Sequence, residues 1–239
     1  MTMAATINKQ KVVHQLFTVM GKSVKAKPHE PRPVLEQFVY AILRENATRE
    51  TADQAFKSLQ EAFFDWNEVR VSSTLELVET LDGIVADPET RAQRIVDFLQ
   101  EVFETTYSFD LEPLLEVLQK KGLKLASKQL SRYQSASDYT VAWVIQQSLG
   151  GHAIPLDASA VRALKRIGLA DDDQLETLKA SIEHQVPKAK GVQFVDLVSV
   201  LADTHCHEDV PACARCPMRS GCTTGLEAKP VPATSKKSR

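Results

Sequence analysis

The sequence contains no run of about 18 apolar residues, so it predicts no membrane span. Its first residues, MTMAATINKQKVV, include no apolar signal core. Strand-like alternation of apolar and polar residues is also nearly absent. We therefore expect a helical cytoplasmic protein that makes no membrane contact, in a compartment where structural disulfides are rare.

Charge of one sign does not dominate either. The formal net charge is −2, which by itself gives no indication of nucleic-acid binding. The distribution is uneven, however. Residues 1–35 carry six Lys or Arg against one Glu, residues 111–166 carry eight against four acids, and residues 71–110 carry two against nine. Such a chain can turn a basic face to a polyanion, although ordinary fluctuation of charge along a sequence explains the pattern equally well.

Apolar residues recur at helical spacing along most of the chain, and Pro or Gly separates the stripes. The stretch DPETRAQR predicts a helix start in which Asp87 or a neighbouring residue caps the helix and Pro88 occupies its first turn. These features predict an all-α protein. The stripes cover 35–43, 95–103, 111–118, 161–167, 175–182 and 194–201, and the breaks fall at 27–33, 81–88, 149–155 and 186–191.

All the cysteines, Cys206, Cys213, Cys216 and Cys222, lie in the window HCHEDVPACARCPMRSGC, in the order C-x6-C-x2-C-x5-C. Disulfides are disfavoured by the compartment, and unrelated structural thiols are normally scattered through a core. Four thiolates bind zinc tetrahedrally, but zinc modules more often use two C-x2-C pairs. Sequential thiolates on one compact loop also suit a 4Fe–4S cluster, which takes one thiolate per iron. The spacing alone leaves both metal centres open.

This spacing, near the C-terminal end of a small all-α protein, resembles the cluster loop of endonuclease III and its relatives in the helix-hairpin-helix DNA glycosylase superfamily. The resemblance implies that the four cysteines hold a structural 4Fe–4S cluster, with zinc as the alternative. In that family the loop between the first two ligands presents basic side chains to DNA. Here the loop is HEDVPA, without Lys or Arg. The residues that would replace them are His205, His207, Arg215 and Arg219.

A second segment, IPLDASAVRALKRIGL at 154–169, resembles the part of that family which carries the catalytic aspartate. The resemblance assigns this role to Asp157. A carboxylate beside the sugar can stabilise the oxocarbenium-like state formed as the glycosidic bond breaks, or activate the attacking water. The position of Asp157 before ASAVRAL is equally that of an ordinary helix N-cap. Arg162, in the same segment, is expected to contact DNA.

The hairpin of the family, approximately L-P-G-V-G-x-K-T-A, aligns without gaps on YQSASDYTV at 133–141. Ser135 and Ser137 replace the two glycines, which makes a positive φ less favourable, and Thr140 is retained. The resemblance still implies that these three residues contact DNA. The lysine that attacks the sugar in bifunctional members becomes Tyr139, which cannot form a Schiff base. Tyr139 is therefore assigned to the catalytic site of a monofunctional enzyme, although a half-buried helix aromatic explains it as well.

An early segment, FVYAILRENATRETADQAF at 38–56, resembles the family's helix and turn beside the flipped base. Asn46 falls where a polar side chain fills the gap left by that base, so we expect Asn46 to contact DNA. Adenine glycosylases of the superfamily carry a glutamate as general acid in this helix, and Ala41 occupies that position here. Glu45 lies one turn further on, on roughly the same face, where it could replace that acid; we interpret it instead as a solvated residue at the helix end.

The resemblance covers residues 34–225 and implies the two-lobed endonuclease III-like fold. We expect a helical barrel lobe with a degenerate hairpin at 34–150, an iron–sulfur cluster lobe from 1–33 and 151–225, and a disordered basic tail at 226–239.

The implied function is that of a monomeric, monofunctional base-excision repair glycosylase. It would hydrolyse the N-glycosidic bond of a flipped damaged or mismatched base in double-stranded DNA. One alternative is a non-catalytic iron–sulfur relative that binds DNA or responds to redox state. Another is a zinc protein with no role on DNA.

Overall fold

The computed structural model describes residues 8–24, 29–169 and 175–228, and within these ranges the chain is helical and contains no β-strand. No helix there is both long and apolar enough to cross a bilayer. Two short 3₁₀ helices lie at Lys188–Lys190 and Arg219–Gly221. The α-helices of the described residues are α1 (Lys9–Met20), α2 (Val34–Arg44), α3 (Arg49–Ala62), α4 (Trp66–Val71), α5 (Thr74–Leu81), α6 (Pro88–Thr106), α7 (Pro113–Lys121), α8 (Leu123–Leu130), α9 (Asp138–Gln147), α10 (Ala158–Arg166), α11 (Leu175–Gln185), α12 (Gly191–Thr204) and α13 (Thr223–Glu227).

Each apolar stripe of the sequence lies within one of these helices or extends past its end by at most two residues, so the all-α prediction is confirmed. The clearest case is α2, which is buried at every position except Glu36. A helix that is apolar on all sides belongs in the interior of a protein. Accordingly, α3, α6 and α9 pack around α2.

The helix start predicted at 87–88 is correct in position but not in mechanism. Pro88 occupies the first position of α6, and Asp87 precedes it in a left-handed conformation with a φ of 51°. The Asp87 side chain makes no capping hydrogen bond. Its carbonyl accepts from the Arg91 N–H at 3.2 Å, and Arg91 Nε donates to the Ala86 carbonyl at 2.8 Å. An arginine therefore fastens this loop in place of the expected cap.

A layer of aromatic rings joins α2 to its neighbours. Phe38 stacks on Phe98 of α6 with ring centroids 3.9 Å apart, and Tyr133 meets both rings edge-on. Trp143 of α9 is buried, and its indole N–H donates to Gln37 Oε1 at 3.0 Å. Because its one polar atom has a partner, this large ring can lie in the core without an unsatisfied donor.

Helices from both ends of the described chain pack together beside α10. α1 contacts α11 and α12, and α10 contacts α12 and α13. Gln15 of α1 reaches the cysteine window, where its side-chain nitrogen lies 3.3 Å from Ser220 Oγ. The division of the chain into a helical barrel lobe at 34–150 and a cluster lobe from 1–33 and 151–225 stays a prediction.

The predicted basic tail falls mostly outside the described residues. α13 runs to Glu227, two residues into the segment 226–239 that we expected to be disordered. The Leu226 and Ala228 N–H groups donate to the carbonyls of Cys222 and Thr224, which explains why the helix continues. Residues 229–239 are not described.

Replacing Phe98 with Ala removes a ring from the centre of the aromatic layer. Because such a site collapses only partly, we expect the free energy of unfolding to fall by about 3–5 kcal/mol. Phe64→Ala is the matched control, since Phe64 is 94% exposed and should change stability by less than about 0.5 kcal/mol. Urea denaturation measures both variants, and similar losses in the two would contradict this packing.

Candidate active site and cysteine loop

A short turn between α2 and α3 is the point where several elements meet. Glu45 follows the last residue of α2, and Asn46 adopts a left-handed conformation with a φ of 55°. Asn is one of the few residues besides Gly that visit this region routinely, because its short side chain can bond locally. The turn 45–47 presents its backbone groups to α6, α10 and α12, as the contacts below describe.

Asp157 binds this turn and begins α10 at the same time. Its Oδ1 accepts hydrogen bonds from the Ala160 N–H and the Ser159 hydroxyl, both at 2.7 Å. Its Oδ2 accepts from the Asn46 N–H at 2.8 Å, and the Ser159 N–H donates to Asn46 Oδ1 at 3.3 Å. Asp157 is therefore the N-cap that its sequence position predicted, and it is only 6% exposed. Asp157 and Asn46, both predicted for the site, lie side by side.

A buried arginine from α6 satisfies carbonyl groups at the end of α2. Arg91 donates to the carbonyls of Ile42, Leu43 and Glu45, at 3.1 Å to Leu43 and 2.6 Å to Glu45. The last carbonyls of a helix have no partner within that helix. Arg91 therefore completes the C-terminal end of α2 and fixes where the turn begins.

A second arginine, Arg44, lies beneath the turn without solvent exposure. Its guanidinium donates to the Ala47 carbonyl, to Ser199 Oγ at 3.0 Å and to Asp196 Oδ1 at 3.2 Å. Burial alone would raise the pKa of the Asp196 carboxyl, but His29 and Arg44 hold that pKa below its usual value. The pair therefore joins α2 to α12 with each buried charge facing an opposite one.

Tyr139 lies behind the site and is more deeply buried than the sequence suggested. It is 2% exposed, and its ring stacks on Trp143 with centroids 6.2 Å apart. Among the described residues, no hydrogen-bond partner faces its hydroxyl. Burial raises the pKa of this hydroxyl, Arg44 opposes the rise, and Asp157 and Glu45 add to it. The hydroxyl is therefore buried and not open to solvent.

The helices α8 and α9, joined by 131–137, form the hairpin. Ser137 is the N-cap of α9, and its Oγ accepts from the Thr140 N–H at 3.1 Å. The φ of Ser137 is −86°, and Ser135 is not among the positive-φ residues of the described chain. The strain expected from replacing the hairpin glycines is therefore absent, because the loop follows a backbone path that ordinary residues adopt. Within the described ranges, the Ser135 and Ser137 N–H groups donate to no backbone carbonyl.

The interpretation of Glu45 as a solvated residue is wrong. Its side chain is 17% exposed, and Oε2 accepts from Arg94 Nη1 at 2.8 Å and from the Ser137 hydroxyl at 2.9 Å. Arg94 Nη2 also donates to the Ser135 carbonyl at 3.1 Å. Arg94 carries no sequence signal beyond its spacing of three from Arg91, which puts both on one side of α6.

Exposed cations run along α8 towards the hairpin. Lys124, Lys128 and Arg132 are exposed and spaced four residues apart. This spacing puts them on one side of α8 and of the turn that follows it. A row of this kind is suited to the phosphates of a nucleic-acid backbone.

Arg162 does not point freely into solvent, as a phosphate-binding residue would. Its Nε donates to the Cys206 carbonyl at 3.0 Å. Arg166, one turn further along α10, donates to the carbonyls of His207 and Glu208, the latter at 2.7 Å, and its Nη1 lies 3.7 Å from the Cys206 sulfur. Two arginines of α10 thus fasten the beginning of the cysteine loop.

The four cysteines are free thiols, of which Cys206 and Cys222 are buried and Cys213 and Cys216 are partly buried. Burial raises the pKa of the Cys216 thiol, and Cys222, Cys206 and Cys213 raise it further. Within the described residues, no three His, Cys, Asp or Glu side chains converge closely enough to hold one metal ion. Four cysteine thiolates can hold either a 4Fe–4S cluster or zinc, and the identity of the metal centre stays a prediction.

The last cysteine has a close backbone donor. The Gly225 N–H lies 3.3 Å from Cys222 Sγ. A Cβ added at Gly225 would lie 3.0 Å from the Arg219 carbonyl oxygen and 3.2 Å from Cys222 Cβ, which is tighter than ordinary contact. Glycine therefore lets the backbone approach this sulfur, and such N–H···S bonds orient and tune a metal-ligating thiolate.

A polar cavity of 210 Å³ opens beside the Asn46 turn. Ser159 and Arg162 of α10 line one part of it, and Asp203 and His207 line another. The cavity runs from the turn to the start of the cysteine loop. The two regions predicted to contact DNA therefore border one depression.

No protein-family model and no curated protein matches the sequence, but solved structures match the fold. A non-covalent endonuclease III–DNA complex has a TM-score of 0.68 at 18% identity, covering 93% of this chain and 98% of that one. A trapped covalent endonuclease III–DNA intermediate has 0.67 at 19%, with 93% and 99% covered. A thermostable thymine-DNA glycosylase has 0.61 at 19%, with 92% and 98% covered. The chain therefore has the endonuclease III-like helix-hairpin-helix glycosylase fold that the resemblance implied.

Asp157→Ala removes both the N-cap of α10 and the acceptor of the Asn46 N–H. We expect the free energy of unfolding to fall by about 1–3 kcal/mol, because a helix end and a largely buried donor each lose a partner. Asp157→Asn should lose less, since its amide oxygen can still cap α10, whereas its NH2 group cannot accept from the Asn46 N–H. Urea denaturation compares the two, and an equal loss would show that capping is not what this side chain contributes.

Proposed function

We propose that the protein is a DNA glycosylase of base-excision repair that acts on a flipped base in double-stranded DNA. One observation carries the proposal. Asp157 stands at the N-terminus of α10 in hydrogen-bond contact with the Asn46 turn, in a fold shared with endonuclease III. A carboxylate fixed by three hydrogen bonds needs no reorganisation when positive charge develops beside it.

Asp157 would supply the charge that cleavage of a glycosidic bond needs. Departure of the base leaves positive charge on the sugar, and a fixed carboxylate stabilises that state or activates the attacking water. The target base must first leave the stack. Asn46 adjoins Asp157, and its side chain would then occupy the gap that the base leaves in the duplex.

We infer that the enzyme is monofunctional, releasing the base and leaving the sugar–phosphate backbone intact. A lyase needs an amine that attacks the sugar, and Tyr139 stands at the position of that lysine in the resemblance. Lys128, the nearest lysine upstream, lies on the exposed side of α8 instead. Because Tyr139 is buried, it would shape the surroundings of Asp157 without touching the substrate, which revises the catalytic role that we expected for it.

The DNA-binding face would be formed by α8 and the hairpin. The exposed cations of α8 supply affinity without sequence preference, and backbone N–H groups of the loop would position a phosphate. Ser137 and Thr140 bond each other, with the Thr140 hydroxyl donating to the Ser137 carbonyl at 2.9 Å. We infer that Ser135, Ser137 and Thr140 act through the backbone path they maintain, and that monomeric protein suffices for binding.

We propose that the four cysteines hold a 4Fe–4S cluster. When bound, the cluster would cross-link the cysteine loop and add charge beside α10. Arg162 and Arg166 would hold the backbone at the first ligand, and the Gly225 N–H would bond the sulfur of the last. In this role the cluster is structural and takes no part in bond cleavage.

A non-catalytic DNA-binding relative is the second candidate, and the closed surroundings of the site favour it. Tyr139 is buried, Glu45 is paired with Arg94, and Glu101 Oε2 accepts the Gln134 N–H of the hairpin loop at 2.9 Å. Both candidates bind duplex DNA. Turnover therefore separates them, and affinity does not.

Single-turnover assays on duplexes that carry a panel of damaged and mismatched bases test the proposal. We expect strand breaks only after alkaline workup, because a monofunctional enzyme leaves abasic sites that alkali then cleaves. Asp157→Asn should lower the rate by about 100-fold or more, because the developing charge loses its carboxylate. The substitution keeps the cap, so thermal denaturation should show a folded protein.

Breaks that appear without alkali would reveal a lyase amine and contradict the monofunctional assignment. If cluster-loaded protein binds duplex DNA but cleaves no member of the panel, the non-catalytic relative is favoured instead.

Anaerobic purification tests the metal assignment. We expect a brown protein with an absorbance band near 400 nm and about four irons per chain, because each thiolate holds one iron of a cubane. Cys216→Ser should lower iron content and the absorbance together. A colourless protein with stoichiometric zinc would contradict the cluster and support the zinc alternative.

A further inference from the structure

Arg94 joins three elements that meet at the candidate site. It projects from α6, where Nη1 bonds Glu45 Oε2 at 2.8 Å and Nη2 donates to the Ser135 carbonyl at 3.1 Å. The Ser137 hydroxyl bonds the same Glu45 oxygen at 2.9 Å. One guanidinium and one carboxylate thereby tie the hairpin loop to the turn after α2.

These contacts are sheltered from solvent. The side chains of Arg94 and Glu45 are 25% and 17% exposed, and Ser135 is buried. A pair at this depth is screened less by salt than a surface pair. Both guanidinium contacts come from one planar group, so the geometry of the hairpin and that of the turn constrain each other.

The peptide group between Glu45 and Asn46 connects these contacts to Asp157. Glu45 precedes Asn46, whose N–H bonds Asp157 Oδ2 at 2.8 Å. Arg91, one helical turn before Arg94, holds the Glu45 carbonyl at 2.6 Å. The Glu45 side chain binds the hairpin loop, and the N–H of the next residue, Asn46, binds Asp157. These hydrogen bonds set the position of the hairpin relative to Asp157.

We propose that Arg94 is a positioning residue that, through Glu45, holds the hairpin loop in register with Asp157. In a bound duplex, the phosphate held by the loop and the sugar facing Asp157 would then lie at the correct distance from each other. The expected effect of Arg94 on the reaction rate rests on the proposed glycosylase function. The contacts of Arg94 and Glu45 with the hairpin loop belong to the folded chain and can be measured without turnover.

The experiment compares Arg94→Gln, Arg94→Lys and Glu45→Gln with the wild type, all as full-length cluster-loaded protein. Arg70→Gln is the matched control, because Arg70 also anchors α6, through Gln100 at 2.7 Å, but lies outside the site. Three quantities are measured: the single-turnover rate at saturating DNA, the slope of log affinity against log salt, and hydrogen exchange of the hydrogen-bonded amides of Tyr133, Gln134 and Ala136.

For Arg94→Gln we expect a rate about tenfold or more below wild type, since misplacement of the reacting groups lowers rate even when DNA is bound. The hairpin amides should exchange faster, and the salt slope should stay unchanged. Arg94→Lys should recover part of both losses, because it restores the charge but not the two-pronged contact. Combining Arg94→Gln with Glu45→Gln should add little to either single change, and Arg70→Gln should match wild type.

Two results would overturn the proposal. One is unchanged rate and unchanged hairpin exchange in folded Arg94→Gln and Glu45→Gln proteins. The other is a salt slope reduced by about one in Arg94→Gln, which would mean that Arg94 contacts a phosphate directly. If the wild type shows no turnover, the proposed function fails, and hydrogen exchange still decides whether Arg94 holds the hairpin.

Discussion

The left-handed turn at Asn46 is the constraint on which the arrangement of the site depends. A turn with this backbone exposes carbonyl and N–H groups that neighbouring elements must satisfy, since buried polar groups without partners destabilise a fold. Arg91 takes the carbonyls at the end of α2, Arg44 takes the Ala47 carbonyl, and Asp157 takes the Asn46 N–H. Three helices are thereby fixed to one three-residue segment, and the candidate reaction centre lies where they meet.

α10 carries this constraint to the cysteine loop. Its N-cap is Asp157, and in its last two turns Arg162 and Arg166 hold the carbonyls at the start of the loop. A helix of this length is stiff, so the cysteine loop and the Asp157 carboxylate lie at the two ends of one rigid element. The proposed cluster would therefore affect activity without taking part in bond cleavage, by holding the helix that positions Asp157.

The sequence predicted what depends on local pattern. The apolar stripes predicted the helices. The cysteine spacing and the segment around Asp157 carried the family resemblance, and that resemblance predicted the fold that the solved structures confirm. It could not predict the roles of Arg44, Arg91 and Arg94. An arginine in a helix is normally a surface residue, and these three are engaged because carbonyls and carboxylates distant in sequence face them. The partner of Glu45, Arg94, is also distant in sequence, so the pattern indicated a solvated glutamate. The backbone path of the hairpin serines depends on the fold around them and cannot be derived from residue type alone.

Cleavage of a glycosidic bond with the support of Asp157 is measured by detecting the free base, by chromatography and mass spectrometry, after one turnover on double-stranded DNA. We expect wild-type protein to release a base from at least one damaged or mismatched duplex and to leave the strand intact, and Asp157→Asn to release none on the same time scale. Base release by Asp157→Asn at the wild-type rate would contradict this expectation, as would the absence of release from every duplex that the wild type binds.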